Sequence, residues 1–174
     1  NFDNINIGAS LDAEGPRGEY QRKGTKWADV VNNMDEFRKV NHLTNNPAKD
    51  KVVDFYVSAT VSAYNAWHIT DFHRNWVEKG YIKPGDWYIN VLLNNPRFRM
   101  SVLPKEFKEK IKEKWLAHLE WLEPLDHIGR ATEGYKSAIK FLDDDHTHLY
   151  EEFKAFNMEF DKLMGSFKEA EKLF

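Results

Sequence analysis

The sequence contains no cysteine. Disulfides, thiolate nucleophiles, zinc fingers and cysteine-held iron–sulfur clusters are therefore excluded within these residues. Long apolar runs are missing too, and the longest fall far short of the roughly 20 residues needed to cross a bilayer. No basic stretch leading into an apolar one marks a signal peptide. Neither sign of charge dominates. The net charge of -3 gives no general attraction to nucleic acid or anionic lipid. These absences set the expectation of a cytoplasmic chain that takes neither nucleic acid nor a membrane as partner. Internal repeats and low-complexity segments are absent as well.

The 174 residues are 41% hydrophobic and 30% charged, which suits one globular domain or a piece of a larger one. Aromatics are plentiful, with six Trp, seven Tyr and twelve Phe. Most are expected to pack a core, and a minority to line a pocket. The chain starts at Asn1, not Met, and enters a strand almost at once. The expectation is that a further segment belongs before it.

Ile5, Ile7, Ala9 and Leu11 alternate with Asn4, Asn6, Gly8 and Ser10, which is the period of a strand. A glycine-rich loop over 12–24 follows. Thr25 is the expected N-cap of an amphipathic helix over 26–40, which Asn45, Asn46 and Pro47 break. Residues 52–63, rich in β-branched and aromatic side chains, form the strongest predicted strand. A helix over 69–79 stops at Gly80, and residues 87–93 make a third, mostly apolar strand. Strands alternating with helices at these separations read as right-handed βαβ units with parallel strands. Helices are then expected over 105–122, 131–142 and 149–163. The fold class is α/β: a partial parallel (β/α) barrel fragment of about three strands over 1–104, with a helical C-terminal segment over 105–174 packed on it. Three parallel strands leave two open edges with unpaired backbone groups. A missing N-terminal half, or a second copy of the chain, is expected to cover one.

Strand ends that run into a glycine-rich loop are where α/β proteins place ligands. Ser10 and Asp12, two apart at the end of the first strand, share a face and are either ligand contacts or the start of an Asx or Ser turn. Arg17 and Arg22 are either forks for a carboxylate or surface arginines paired with Glu14 and Glu19. Thr60, Ser62 and Asn65 close the second strand, where they reach the same ligand as Ser10 or hydrogen-bond across a buried layer. The polar tips near residues 11 and 63 are expected to converge on one hollow. His68-x-x-Asp71-x-His73 reads as a helix start, because 73 points away from 68. Residues 143–148, Asp-Asp-Asp-His-Thr-His, lack the spacing and glycine of a calcium loop and read as a capping loop. The alternating Lys/Glu run over 105–114 is a solvent-facing helix side.

Ser10-Leu11-Asp12-Ala13, Arg17-Gly18-Glu19-Tyr20, Arg22-Lys23-Gly24 and Trp27, followed by Ala59–Asn65 with its terminal Asn, resemble the middle of a radical S-adenosylmethionine barrel. The segments 67–76 and 90–104 are similar to the twitch-domain members of that family, and the likeness spans roughly residues 4–142. It implies a fragment of a radical S-adenosylmethionine enzyme that contributes part of the cofactor and substrate pocket. Ser10, Asp12, Arg22, Ser62 and Asn65 would then hold the nucleoside and amino-acid parts of S-adenosylmethionine. The full protein would modify a peptide or small molecule through a 5′-deoxyadenosyl radical. The family's [4Fe–4S] cluster hangs on Cys-x3-Cys-x2-Cys. None of these cysteines is in this sequence, so the cluster is expected only in a missing N-terminal part, and this chain is not active alone. The rival expectation is a non-catalytic α/β module that binds a protein partner through its open edge.

Overall fold

The structure, a computed structural model, describes residues 4–44 and 52–164. Three parallel strands form one sheet in sequential order: β1 (Asn4–Ala9), β2 (Val52–Val61) and β3 (Trp87–Val91). The register runs from Asn4↔Val52 to Ala9↔Val57, and from Val57↔Trp87 to Val61↔Val91. The strand richest in β-branched residues is the central one, as its composition favours.

Six α-helices are described. The short α1 (Gly15–Gln21) and the long α2 (Trp27–Thr44) join β1 to β2, and α3 (Ile69–Glu78) joins β2 to β3. Then come α4 (Lys105–Leu122), α5 (Arg130–Ile139) and α6 (Tyr150–Met164), with two short 3-10 turns between α5 and α6. Helix α1 lies inside the expected loop. Pro16 at its first turn fixes φ where no N–H partner is needed. The first N–H of α2, on Trp27, donates to Glu19 Oε1 of α1 at 2.7 Å, so Glu19 and not Thr25 supplies the cap. The break expected over 45–47 lies outside the described residues.

Along β2, Phe55, Val57, Ala59 and Val61 are buried, whereas Tyr56, Ser58 and Thr60 are only half-buried. The odd face takes the helices. Phe37 of α2 meets Phe55 at 5.1 Å between ring centroids, and Phe72 of α3 meets Trp87 at 5.1 Å. Trp27 of α2 touches Phe72 and Trp76, both at 5.9 Å. Helices α4 and α5 extend this layer, with Trp115 Nε1 donating to Ala66 O at 2.7 Å and Tyr135 stacked on His73. One hydrophobic core runs from Met34 to Phe153, continuous across residue 104.

The two sheet edges differ. Leu92 N–H donates to Val61 O, and Asp86 O accepts from Val57 N–H, so even-numbered β3 residues turn their backbone groups towards β2. Odd-numbered ones face outward. There α5 lies close: a Cβ on Gly134 would stand 3.4 Å from Ile89 Cβ and 3.6 Å from Ile89 N. On β1, Ile5 and Ile7 are 44% and 38% exposed. Among the described residues no helix is long and apolar enough to cross a membrane.

Candidate functional site

The ladder of β1 ends at Ala9, and Asp12 carries the connection further with its side chain. Asp12 Oδ1 accepts from the Thr60 N–H at 2.8 Å, and Oδ2 accepts from Arg22 Nε–H at 2.8 Å. A carboxylate therefore stands where the next strand residue's carbonyl would be. Asn65 secures the same junction from below the surface. Its amide nitrogen donates to Asp12 O at 2.7 Å and Thr60 O at 2.9 Å. Its oxygen accepts from the Ser62 N–H at 2.8 Å and from Ser62 Oγ at 3.5 Å. Two donors and two acceptor sites are all that a side-chain amide offers. Asn65, fully buried, has none left for a ligand.

A cavity of about 280 Å³ opens above this junction, at the C-terminal ends of the three strands. Asp12, Thr60, Ser62 and Leu92 form its strand side, and Tyr20 and Gln21 reach in from α1. Tyr64, Phe98, Phe156 and Phe160 complete it with aromatic faces. Helix α1 is anchored by Glu14, whose carboxylate accepts two bonds from Asn75 of α3 at 3.0 and 2.7 Å. Burial pushes the Glu14 carboxyl up, against the lowering by Asn75. Helix α6 is tied across the opening by two phenols: Tyr64 Oη donates to Asn157 Oδ1 at 2.5 Å, and Tyr20 Oη donates to Asp161 Oδ1 at 2.8 Å. Burial raises both phenols above their usual value, and for Tyr20 the bond to Asp161 adds to it, so both stay protonated.

Of the five residues expected to hold a cofactor, Asp12 and Ser62 line the cavity. Arg22 is joined to it through its Nε bond to Asp12 and is not itself in the lining. Asn65 braces the floor without facing it, and Ser10 is exposed and outside the lining. Arg17 lies on α1, half-buried, and is not in the wall either. The expected hollow between the tips near 11 and 63 is this cavity. Besides Leu92, the residues that sequence reasoning missed are Tyr20, Gln21, Tyr64, Phe98, Phe156 and Phe160. Phe156 and Phe160, four apart on one helix face, carried a readable pairing signal. Nothing local says what that face covers.

Gln21 Nε2 is buried with no hydrogen-bond partner among the described residues, and a buried donor left unmade is costly. A ligand acceptor in the cavity would satisfy it. The walls offer aromatic faces, hydroxyls, one carboxylate and one amide, a set suited to recognition rather than to acid–base chemistry. Elsewhere, His68 Nδ1 lies 3.8 Å from Asp71, which is held by Lys114 at 2.5 Å. His73 is buried and faces His118, with Nδ1 3.1 Å from His118 Nε2. In the 143–148 stretch, Asp145 caps the Thr147 N–H at 2.9 Å and Asp143 pairs with Lys112. No family model matches the chain, and neither a curated protein nor a solved structure is significantly similar to it.

Proposed function

We propose that the chain is the second half of a partial (β/α) barrel from a radical S-adenosylmethionine enzyme, and that its cavity takes part of the cofactor and the substrate. The observation that carries this reading is the cavity's position. It sits at the carboxyl ends of sequential parallel strands whose connecting helices share one face of the sheet. A doubly wound sheet puts helices on both faces and reverses strand order; a barrel does neither, and it binds at this end.

The donor set fits S-adenosylmethionine. Asp12 and Ser62 would hold ribose hydroxyls or the ammonium group, Arg22 would act indirectly by holding the Asp12 carboxylate, and Gln21 would donate to the base. Asn65 would act indirectly, by holding the Asp12 backbone. When bound, the cofactor supplies hydrogen-abstraction chemistry, and these residues bind and orient it and keep water out. The residues present do not fit the [4Fe–4S] cluster, since this sequence supplies no thiolate. Its ligands belong to a segment outside this chain, which would also pair with the open edge of β1.

The test is to join the chain to the cysteine-bearing segment and reduce it without oxygen in the presence of S-adenosylmethionine. Cleavage of the cofactor is expected, weakened by Asp12→Ala; a reduced, cluster-loaded protein that leaves it intact sinks the reading. The exposure of Ile5 and Ile7 favours a second reading, a non-catalytic module that binds a partner strand on β1. A start codon immediately upstream would support that one.

A further inference from the structure

We propose that the cavity is an aromatic cage for an alkylated onium group, a methylated ammonium or a sulfonium. Its aromatic walls close on themselves. Ring centroids run from Tyr20 to Tyr64 at 6.2 Å, to Phe98 at 5.8 Å, to Phe156 at 5.0 Å, to Phe160 at 6.0 Å and back to Tyr20 at 5.6 Å. All five rings line one cavity of about 280 Å³. A hydrophobic core built from five such rings would close up on itself; this one surrounds space.

The sign of the occupant follows from the walls. Aromatic faces carry the negative part of the ring quadrupole and attract weakly hydrated cations. Both phenol protons are spent on Asn157 and Asp161, which lie outside the lining, so neither hydroxyl is left to donate to an occupant. The Asp12 carboxylate stands in the strand wall, with Arg22 behind it and outside the lining. The rings already hold one cation from outside: the Arg97 guanidinium carbon lies 5.8 Å from the centroids of both Phe98 and Phe156. A bare ammonium would lose more hydration on entry than the cage returns. A methylated or sulfonium centre has apolar substituents that match the ring faces.

The cage goes beyond the cofactor assignment and does not require it, because the onium could be the cofactor's own sulfonium or an alkylated ammonium of a substrate. Calorimetric titration of the 174-residue chain with two matched pairs distinguishes these. One pair is choline and its neutral isostere 3,3-dimethylbutan-1-ol. The other is S-adenosylmethionine and S-adenosylhomocysteine, which lacks the charge. At least one cation is expected to bind about tenfold tighter than its neutral partner. Discrimination only in the adenosyl pair assigns the cage to the cofactor, and only in the choline pair to a substrate. If choline discriminates while neither adenosyl compound binds, the cage stands and the radical S-adenosylmethionine reading falls. If both adenosyl compounds bind equally and choline does not bind, the cage is overturned and that reading survives. Absence of binding by all four overturns the cage. Phe160→Leu, which keeps an apolar wall without a π face, should bring the cation preference close to unity. The wild-type pairs decide the matter even where that variant folds poorly.

Discussion

The two edges of one sheet have been treated differently. At β3, α5 packs beside the strand, with Gly134 close against Ile89, and Trp87 on the same face is fully buried. At β1, Ile5 and Ile7 have the same apolar, β-branched chemistry and stand 44% and 38% exposed. Edge strands are ordinarily blunted with charge, proline, a bulge or a covering helix. Strand β1 (NINIGA) has no charge and no proline. The contrast teaches that β3 is an end of the sheet, whereas β1 has the character of a surface to be paired.

The sharpest way to break this comparison is to cut back one apolar residue on each side. Trp87→Ala opens a cavity in the helical layer and is expected to cost about 3–5 kcal/mol in urea unfolding. A loss below 1 kcal/mol would mean that the β3 side is not the built one. Next comes the junction that holds β1 in place. Asn65→Leu strands the Ser62 N–H and two carbonyls, and about 2–3 kcal/mol should disappear from the same measurement.

The third test uses acid, read through the buried histidine pair on the β3 side. His73 stacks on Trp87 and on Tyr135, donates from Nε2 to Pro84 O at 3.0 Å, and so accepts at Nδ1 from His118. Both imidazoles are neutral. Burial drives His118 down to about 3, helped by Arg74, and holds His73 well below 6.5, helped by His118. Asp71 opposes the fall for His118 and Lys114 adds to it. Folded values lie below unfolded ones, so the unfolded chain binds the extra protons. Stability is full above pH 6.5 and is lost as the pH falls towards 3. Between pH 7 and 5, His118 alone should remove about 2 kcal/mol. His118→Gln should flatten the slope of unfolding free energy against pH, and an unchanged slope would contradict the assignment. The smallest effect is expected at the open edge. Ile7→Thr should leave the isolated chain within about 0.5 kcal/mol of the parent. A loss comparable to that at Trp87 would show that β1 is already packed.

Much of the fold was readable because it is written in local periodicity. The expected helix over 105–122 matches α4 residue for residue, and the three strands start where expected and each end two residues early, at 9, 61 and 91 rather than 11, 63 and 93. Helix α1 was not readable. It has seven residues, three of its neighbours or members are glycines, and it lacks an apolar stripe; only Pro16 announced it. Sequence position marked Asp12 and Ser62 as strand tips and therefore as wall residues. The same logic could not separate them from Asn65, because a buried amide with four bonds and a free one have the same letter.

Residue order by itself determined the α/β alternation, the parallel strands and the end of the sheet where polar tips gather, since each depends on neighbours a few positions apart. Tertiary structure decided which rings close around the cavity and which edge is open among the described residues. The bonds that tie α6 over the strand ends join residues 93 and 141 positions apart, Tyr64 to Asn157 and Tyr20 to Asp161. No periodicity extends over such separations, and only the folded chain brings those groups within hydrogen-bonding reach.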